Sequence, residues 1–298
     1  MRLIIVSGLS GSGKSVALHM LEDLDFYCID NIPAALLTSV ISEIIATRDH
    51  TYDLTAVGVD ARNRPTDIDA VPQLVEKLRT DGVQCEVLFL HADDNILLKR
   101  YSETRRKHPL SGRRLSLREA IARERQVLAP IRETADLIID TTRTSVHDLR
   151  DAVRSRIEQR AEGKLSLLFE SFGYKHGIPS DADFVFDVRC LPNPYWDLAL
   201  RPWSGKDAPV TDYLEQQLDV RAMLADITAF LDAWIPAFKR SNRSYLTVAL
   251  GCTGGQHRSV YIVERLAAHF SASYDHVLTR HTELTARSGD IVGVQPGE

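Results

Sequence analysis

The residues Gly8-Leu9-Ser10-Gly11-Ser12-Gly13-Lys14-Ser15 fit the spacing G-x-x-x-x-G-K-[ST]. Those residue types at that spacing bind phosphate. Glycines without a Cβ let the backbone curl and aim successive N–H groups at one anion. A helix starting inside the motif adds a partial charge of roughly +0.5 at its N-terminus. Lys14 is expected to reach the β- and γ-phosphates of ATP, and the Ser15 hydroxyl to ligate Mg²⁺. A Gly/Ser turn that merely holds a lysine would share the string but not its flanks. The apolar run Leu3-Ile4-Ile5-Val6 precedes the motif, and Val16 to Leu21 follow with apolar positions at helical spacing. A strand before and a helix after make the string a P-loop.

A second constellation has the same plan and an unrelated sequence. Gly251-Cys252-Thr253-Gly254-Gly255-Gln256-His257-Arg258-Ser259 lies between the apolar run Tyr245–Leu250 and the helical pattern Val260–Phe270. The N–H groups around Thr253, Gly254 and Gly255, with Arg258 and the helix start, would hold a phosphate. Cys252 and Arg258 also match C-x5-R-[ST], the loop of cysteine phosphatases, in which a thiolate is activated by the helix start and the arginine. The residues leave both readings open, an oxyanion-binding loop or a nucleophile. His257 is equally a loop histidine or a phosphate donor.

Strands and helices alternate around the first motif. Phe26–Ile29, Leu54–Val59, Glu86–Leu90 and Asp136–Asp140 read as strands. Helices are expected from Pro33 to about Ile45, near Val71–Arg79, from Asp94 to about Arg105, and from Ser145, as the cap, to about Gln159. This is an α/β pattern with a parallel sheet covered on both faces, and such sheets bind ligands at the carboxyl ends of their strands. Asp30, Asp60 and the P-loop would meet there. Asp60 stands where a P-loop enzyme holds Mg²⁺, and Lys14 and Asp60 are the catalytic candidates. Asp60 is equally placed to cap its own loop. Asp30 is a candidate base for a small-molecule kinase. Lys99 to Arg125 holds ten lysines and arginines against three glutamates. It reads as an arginine-bearing lid over a nucleotide or as a solvated helical face.

The polar stretch 161–164 separates two domains, residues 1–162 and 163–298. The second is expected to form an α/β domain of its own. Leu165–Phe169 and Asp183–Val188 read as its first strands, with loops that carry His176 and Asn193. Ala208 to Lys239 reads as mostly helix. Its apolar positions at Leu218, Met223, Leu224, Ile227, Phe230, Leu231 and Trp234 read as core.

The bulk properties narrow the classes. A net charge of −5 excludes a wholly basic nucleic-acid binder. No stretch approaches the ~20 apolar residues of a membrane span, and the N-terminal apolar run is too short for a signal peptide. The four cysteines, Cys28, Cys85, Cys190 and Cys252, form no C-x-x-C pair. That argues against a zinc site or a disulfide framework and fits a reducing cytoplasm.

Several longer strings resemble one family closely, the RapZ/YvcJ family of bacterial P-loop nucleotide-binding proteins. They are Val6–Leu18, Asp23–Pro33, Asp60–Asn63 (DARN, usually DVRN in the family), Arg100–Leu110, Phe169–Asp187, Arg189–Asp197 and 242–261. The resemblance covers nearly the whole chain. It implies ATP on Gly8–Ser15 and GTP on Asp60, Ala61, Arg62 and Asn63, with weak hydrolysis. In enteric members it implies an RNase adapter that presents a small regulatory RNA to an RNase E-type endoribonuclease, and a homotetramer. It also implies a C-terminal domain that senses glucosamine-6-phosphate. For that ligand the candidates are the Cys252–Ser259 loop, Asp187 facing the amine, and His176 and Asn193 facing hydroxyls. The likeness departs at two places. Gln256 replaces a lysine, and the tail keeps Arg280, His281 and Arg287 as candidate RNA contacts but ends without a basic cluster. Lys/Arg contacts supply most non-specific RNA affinity, so RNA binding is expected to be weaker than in basic-tailed members.

Overall fold

A computed structural model describes residues 1–47, 50–111, 115–157, 165–241 and 243–284. The chain divides into two compact units, Met1–Gln159 and Arg160–Glu298. Each is built on a parallel sheet, the mixed α/β class expected from the alternation.

In the first unit β1 (Arg2–Gly8), β2 (Tyr27–Ile29), β3 (Leu54–Gly58), β4 (Gln84–His91) and β5 (Leu137–Asp140) lie side by side in the order β2-β3-β1-β4-β5. β1 and β4 are buried along almost their whole length, because helices cover both faces of the sheet. The register sets Val6 beside Gly58, Gly8 beside Leu90 and His91 beside Asp140. The turns after Gly8, Gly58 and Asp140 therefore share one edge. Leu3, Ile5, Val57, Val87 and Phe89 form a core with Ile41, Ile68 and Ile121.

Two local departures have visible causes. The helix expected from Pro33 begins as a tight turn, Ala34–Leu36, before the α-helix Leu37–Thr47. The Asn63 side chain accepts the Ala34 N–H at 2.6 Å and pins that turn. The basic stretch holds more than one helix. Asp94–Thr104 is followed by Leu117–Val127, whose start is a reciprocal cap between Ser116 and Glu119, and by Ala129–Glu133. Arg113 and Arg114 lie outside the described residues.

The second unit orders β6 (Ser166–Gly173), β7 (Phe184–Asp187), β8 (Tyr245–Cys252) and β9 (Val277–His281) as β7-β8-β6-β9. Gly173 pairs with Cys252 and Asp187 with Gly251, so the second loop and Asp187 also share a carboxyl edge. The apolar stripe of the long helix Leu218–Arg240 holds at Met223, Leu224, Ile227 and Leu231 and is corrected at Leu218, Phe230 and Trp234. Val220, Ile227, Leu231 and Ile235 are buried, whereas Leu218, Phe230 and Trp234 are exposed. The buried face is narrower than the one the sequence pattern marked and also takes in Val220 and Ile235.

Candidate functional site

The first loop leaves β1 through Gly8, at φ 142°, where a Cβ would lie 2.3 Å from the Leu90 carbonyl oxygen. At Gly13, φ 107°, a Cβ would meet the Leu149 side chain at 2.5 Å. Only glycine fits either place. The loop's carbonyls are held from outside. Lys14 Nζ donates to Gly8 O at 2.7 Å, Ser12 Oγ to Leu9 O at 2.6 Å, Arg100 to Gly11 O at 3.0 Å and Thr141 Oγ1 to Ser12 O at 2.9 Å. Among the described residues, the N–H groups of Gly11, Gly13, Lys14 and Ser15 have no hydrogen-bond partner. A loop with its carbonyls tied back and its donors unspent is an anion cradle. The Ser15 side chain is exposed at the start of the helix Lys14–Glu22.

Charge converges on Lys14. Burial pushes its pKa below the ordinary lysine value, against the pull of the Glu124, Asp60 and Asp30 carboxylates. Asp60 is 4% exposed and clamped by Arg62. Arg62 N–H donates to Oδ1 at 3.0 Å, Nε to Oδ2 at 2.9 Å and Nη2 to Oδ2 at 2.5 Å. Burial alone would raise the Asp60 carboxyl, but the Arg62 hydrogen bonds and the Lys14 charge hold it below the usual range. In this geometry Asp60 closes its own loop onto Arg62. Among the described residues no group of three His, Cys, Asp or Glu is placed to hold a metal ion.

The rest of the Asp60–Asn63 turn is equally committed. The Asn63 amide receives Ala34 N–H and donates to Asp60 O at 3.1 Å. An open cleft of about 400 Å³ lies beside the turn, lined by Arg62, Asn63, Pro65, Leu110, Leu115 and Arg123 among others.

The sequence reading missed Glu124. Its carboxylate receives Ser10 N–H at 2.9 Å, Ser10 Oγ–H at 2.6 Å and His108 Nε2 at 3.1 Å. One signal was available. Glu124 falls on the buried helical face with Ala120 and Ile121, an acid where an apolar residue belongs.

In the second loop Cys252 Sγ accepts from Gly255 N–H and Ser259 Oγ–H, each at 3.2 Å. Burial pushes the thiol up, and the Ser259 and Gly255 donors with the Arg258 charge bring it below its ordinary value. Arg258 is buried. Its Nη1 donates to Arg189 O at 2.7 Å and Leu191 O at 2.9 Å, and Nη2 to Thr253 Oγ1 at 3.3 Å. Its Nε–H has no partner among the described residues. A Cβ at Gly254 would meet nothing within 4 Å, so this face of the loop is open.

The expected companions are placed as follows. Asp187 is held by Arg189 through N, Nε and Nη2 at 2.9, 3.0 and 2.7 Å. That is the Asp60–Arg62 clamp repeated in kind at the end of β7. His176 pairs with Glu283 at 3.0 Å, and Glu283 lies against Gly255. Asn193 Oδ1 caps the Pro194–Trp196 turn, receiving Tyr195 N–H at 3.4 Å. His257 is buried.

The expected RNA contacts Arg280 and His281 are corrected in position. They lie in β9, not in a tail. Arg280 Nη2 donates to Glu170 at 2.5 Å and Asp181 at 2.8 Å. His281 sits between Ser171 at 2.8 Å and Glu264 at 2.7 Å. Arg280 Nη2 and both His281 ring nitrogens are thus paired inside the unit. Arg287 lies outside the described residues. No helix among the described residues is long and apolar enough to cross a membrane.

Comparison with known proteins places this geometry among relatives. Residues 1–161 match the RapZ-like N-terminal domain and residues 165–285 the RapZ C-terminal domain. The chain is 56% identical over 283 residues to a "Nucleotide-binding protein" of Alkalilimnicola ehrlichii, covering 95% of this chain and 98% of that one. It is 54% identical over 286 residues to one of Thioalkalivibrio sulfidiphilus, covering 96% and 100%. Among solved structures it is similar to shikimate kinase from Acinetobacter baumannii in complex with shikimate. That likeness has a TM-score of 0.34 and 17% identity and covers 52% of this chain and 92% of that one.

Proposed function

The chain belongs to the RapZ family of nucleotide-binding proteins, with both family domains present, and on that premise we propose that it is a nucleotide-dependent regulator with two phosphate sites. ATP or GTP binds the first loop. A phosphorylated amino sugar, glucosamine-6-phosphate, binds the second. The observation that carries the reading is the first loop itself, four N–H groups without partners among the described residues, beside the half-buried Lys14. Mg²⁺ would be held by the Ser15 hydroxyl and nucleotide oxygens, neutralising phosphate charge that Lys14 alone does not balance.

Hydrolysis is slow in this reading. Asp60 is clamped by Arg62 and Glu124 by three donors, so both carboxylates are held ionised and hydrogen-bonded, unlike a general base tuned near neutral pH. For the second loop, the spare Arg258 Nε–H and the open face of Gly254 support a bound oxyanion. Asp187 at the same edge supports recognition of an amine, although Arg189 already shares its charge. The proposal extends to a cytoplasmic homotetramer that presents small RNA to an RNase E-type endoribonuclease. Family membership alone supports that extension. The internal pairing of Arg280 supports weak RNA affinity.

A second reading rests on Cys252. Its two donors and the Arg258 charge favour a thiolate, as a phosphatase nucleophile requires. Titrating the full-length protein separately with MgATP, MgGTP and glucosamine-6-phosphate tests the main reading. Binding of a nucleotide and of the sugar phosphate, each unaffected by saturation with the other, is expected of two separate phosphate sites. Failure of the sugar phosphate at millimolar concentration removes the sensing half. Turnover of a phosphate ester that Cys252→Ser abolishes favours the phosphatase.

A further inference from the structure

Glu124 and His108 have no part in the contacts proposed above, yet both side chains are fully buried beside the first loop. The Leu110 N–H donates to His108 Nδ1 at 3.1 Å. Nδ1 is thus an acceptor, so the ring proton sits on Nε2 and is donated to Glu124. His108 is a neutral donor and not half of an ion pair. The same stretch is folded back on itself, since Ser111 N–H and Oγ–H both donate to His108 O. The Tyr101 ring lies 5.2 Å from that of His108. Two buried side chains therefore wire residues 108–111 to the third residue of the P-loop. Immediately before them stand three exposed cations, Arg105, Arg106 and Lys107.

We propose that Glu124 and His108 are positioning residues that join the basic segment to the P-loop, so that filling the loop with phosphate and placing the segment are one linked event. Ser10 N–H is given to Glu124 and not to the cradle. When a phosphate draws the neighbouring peptides inward, the Ser10 peptide turns with them. A buried carboxylate holds on to its donors, because losing one leaves charge unsatisfied. The carboxylate then carries His108, and with it the turn that ends at Ser111. The proposal rests on the nucleotide reading of the first loop.

The test is limited trypsin digestion of the full chain with and without MgADP, with calorimetric titration of MgADP beside it. In the wild type, MgADP is expected to slow cleavage after Arg105, Arg106 and Lys107 about tenfold. His108→Leu is expected to bind MgADP and lose that protection. His108→Gln keeps a donor toward Glu124 and an acceptor toward Leu110, and is expected to restore it. Ser10→Ala, which empties no core, is expected to weaken protection if His108→Leu fails to fold. Equal protection in the wild type and in the variant that folds overturns the proposal. So does protection lost alike in His108→Leu and His108→Gln, since volume and not the hydrogen bond would then matter. If the wild type binds no MgADP, the nucleotide reading falls and the linkage with it. If it binds and only the protection fails, the linkage falls alone.

Discussion

Arg258 donates from Nη1 to the carbonyl oxygen of Leu191 at 2.9 Å. The cation best placed to neutralise a phosphate on the second loop is thus also the pin that holds the 189–191 turn beside it. One guanidinium does both, because its planar fork serves two carbonyls and the Thr253 hydroxyl and still has Nε–H to give.

Arg258→Ala is therefore expected to abolish sugar-phosphate binding and to lower the thermal midpoint. Cys252→Ser is expected to keep affinity within about threefold, because a serine oxygen accepts the Gly255 and Ser259 hydrogen bonds as the sulfur does. Calorimetry with glucosamine-6-phosphate reads both. Binding that survives Arg258→Ala, or that dies with Cys252→Ser, contradicts the anion-loop account.

Acid should weaken the first unit. Burial opposes ionisation of Asp60 and Glu124, but hydrogen bonds and Lys14 hold both carboxyls below their ordinary values. A depressed folded pKa adds stability above the unfolded value, and that stability is lost as pH falls through the folded one. Urea denaturation is expected to show stability falling below about pH 4, with a shallower fall in Glu124→Gln. An identical slope in that variant would show that Glu124 does not titrate with unfolding.

Arg280→Met should unfold before it affects RNA. It leaves Glu170 and Asp181 facing each other without their cation, a loss of about 3–5 kcal/mol. The slope of RNA affinity against log salt is expected to be unchanged. A slope shallower by about 0.7–0.9 would mean that Arg280 touches a phosphate and that its internal pairing opens.

The parts of this protein legible in its sequence are those that are contiguous. Gly8 to Ser15 announce their turn and their helix within eight residues, and Gly251 to Ser259 nearly so. Contacts made across the fold were not legible. Glu124 lies 114 residues from Ser10, and only its place on an apolar helical face marked it. β9 carries too few apolar residues to read as a strand, so Arg280 and His281 looked like a tail. Asp60 and Arg62 each stood out as residues able to carry chemistry, but a sequence does not say that they pair with one another.

The central claim is that the first loop holds nucleotide phosphates through Lys14. Burial lowers the Lys14 pKa, which means the folded state disfavours its charge. Removing the charge should therefore leave the ligand-free fold at least as stable as the wild type, while the phosphates lose a charged contact of about 1.5–3 kcal/mol. The direct measurement is calorimetric titration of MgATP into full-length wild type and Lys14→Ala, with thermal midpoints taken on the same samples. The account predicts binding by the wild type, affinity about tenfold to hundredfold weaker in the variant, and a midpoint that does not fall. Equal affinity in the two proteins would contradict it.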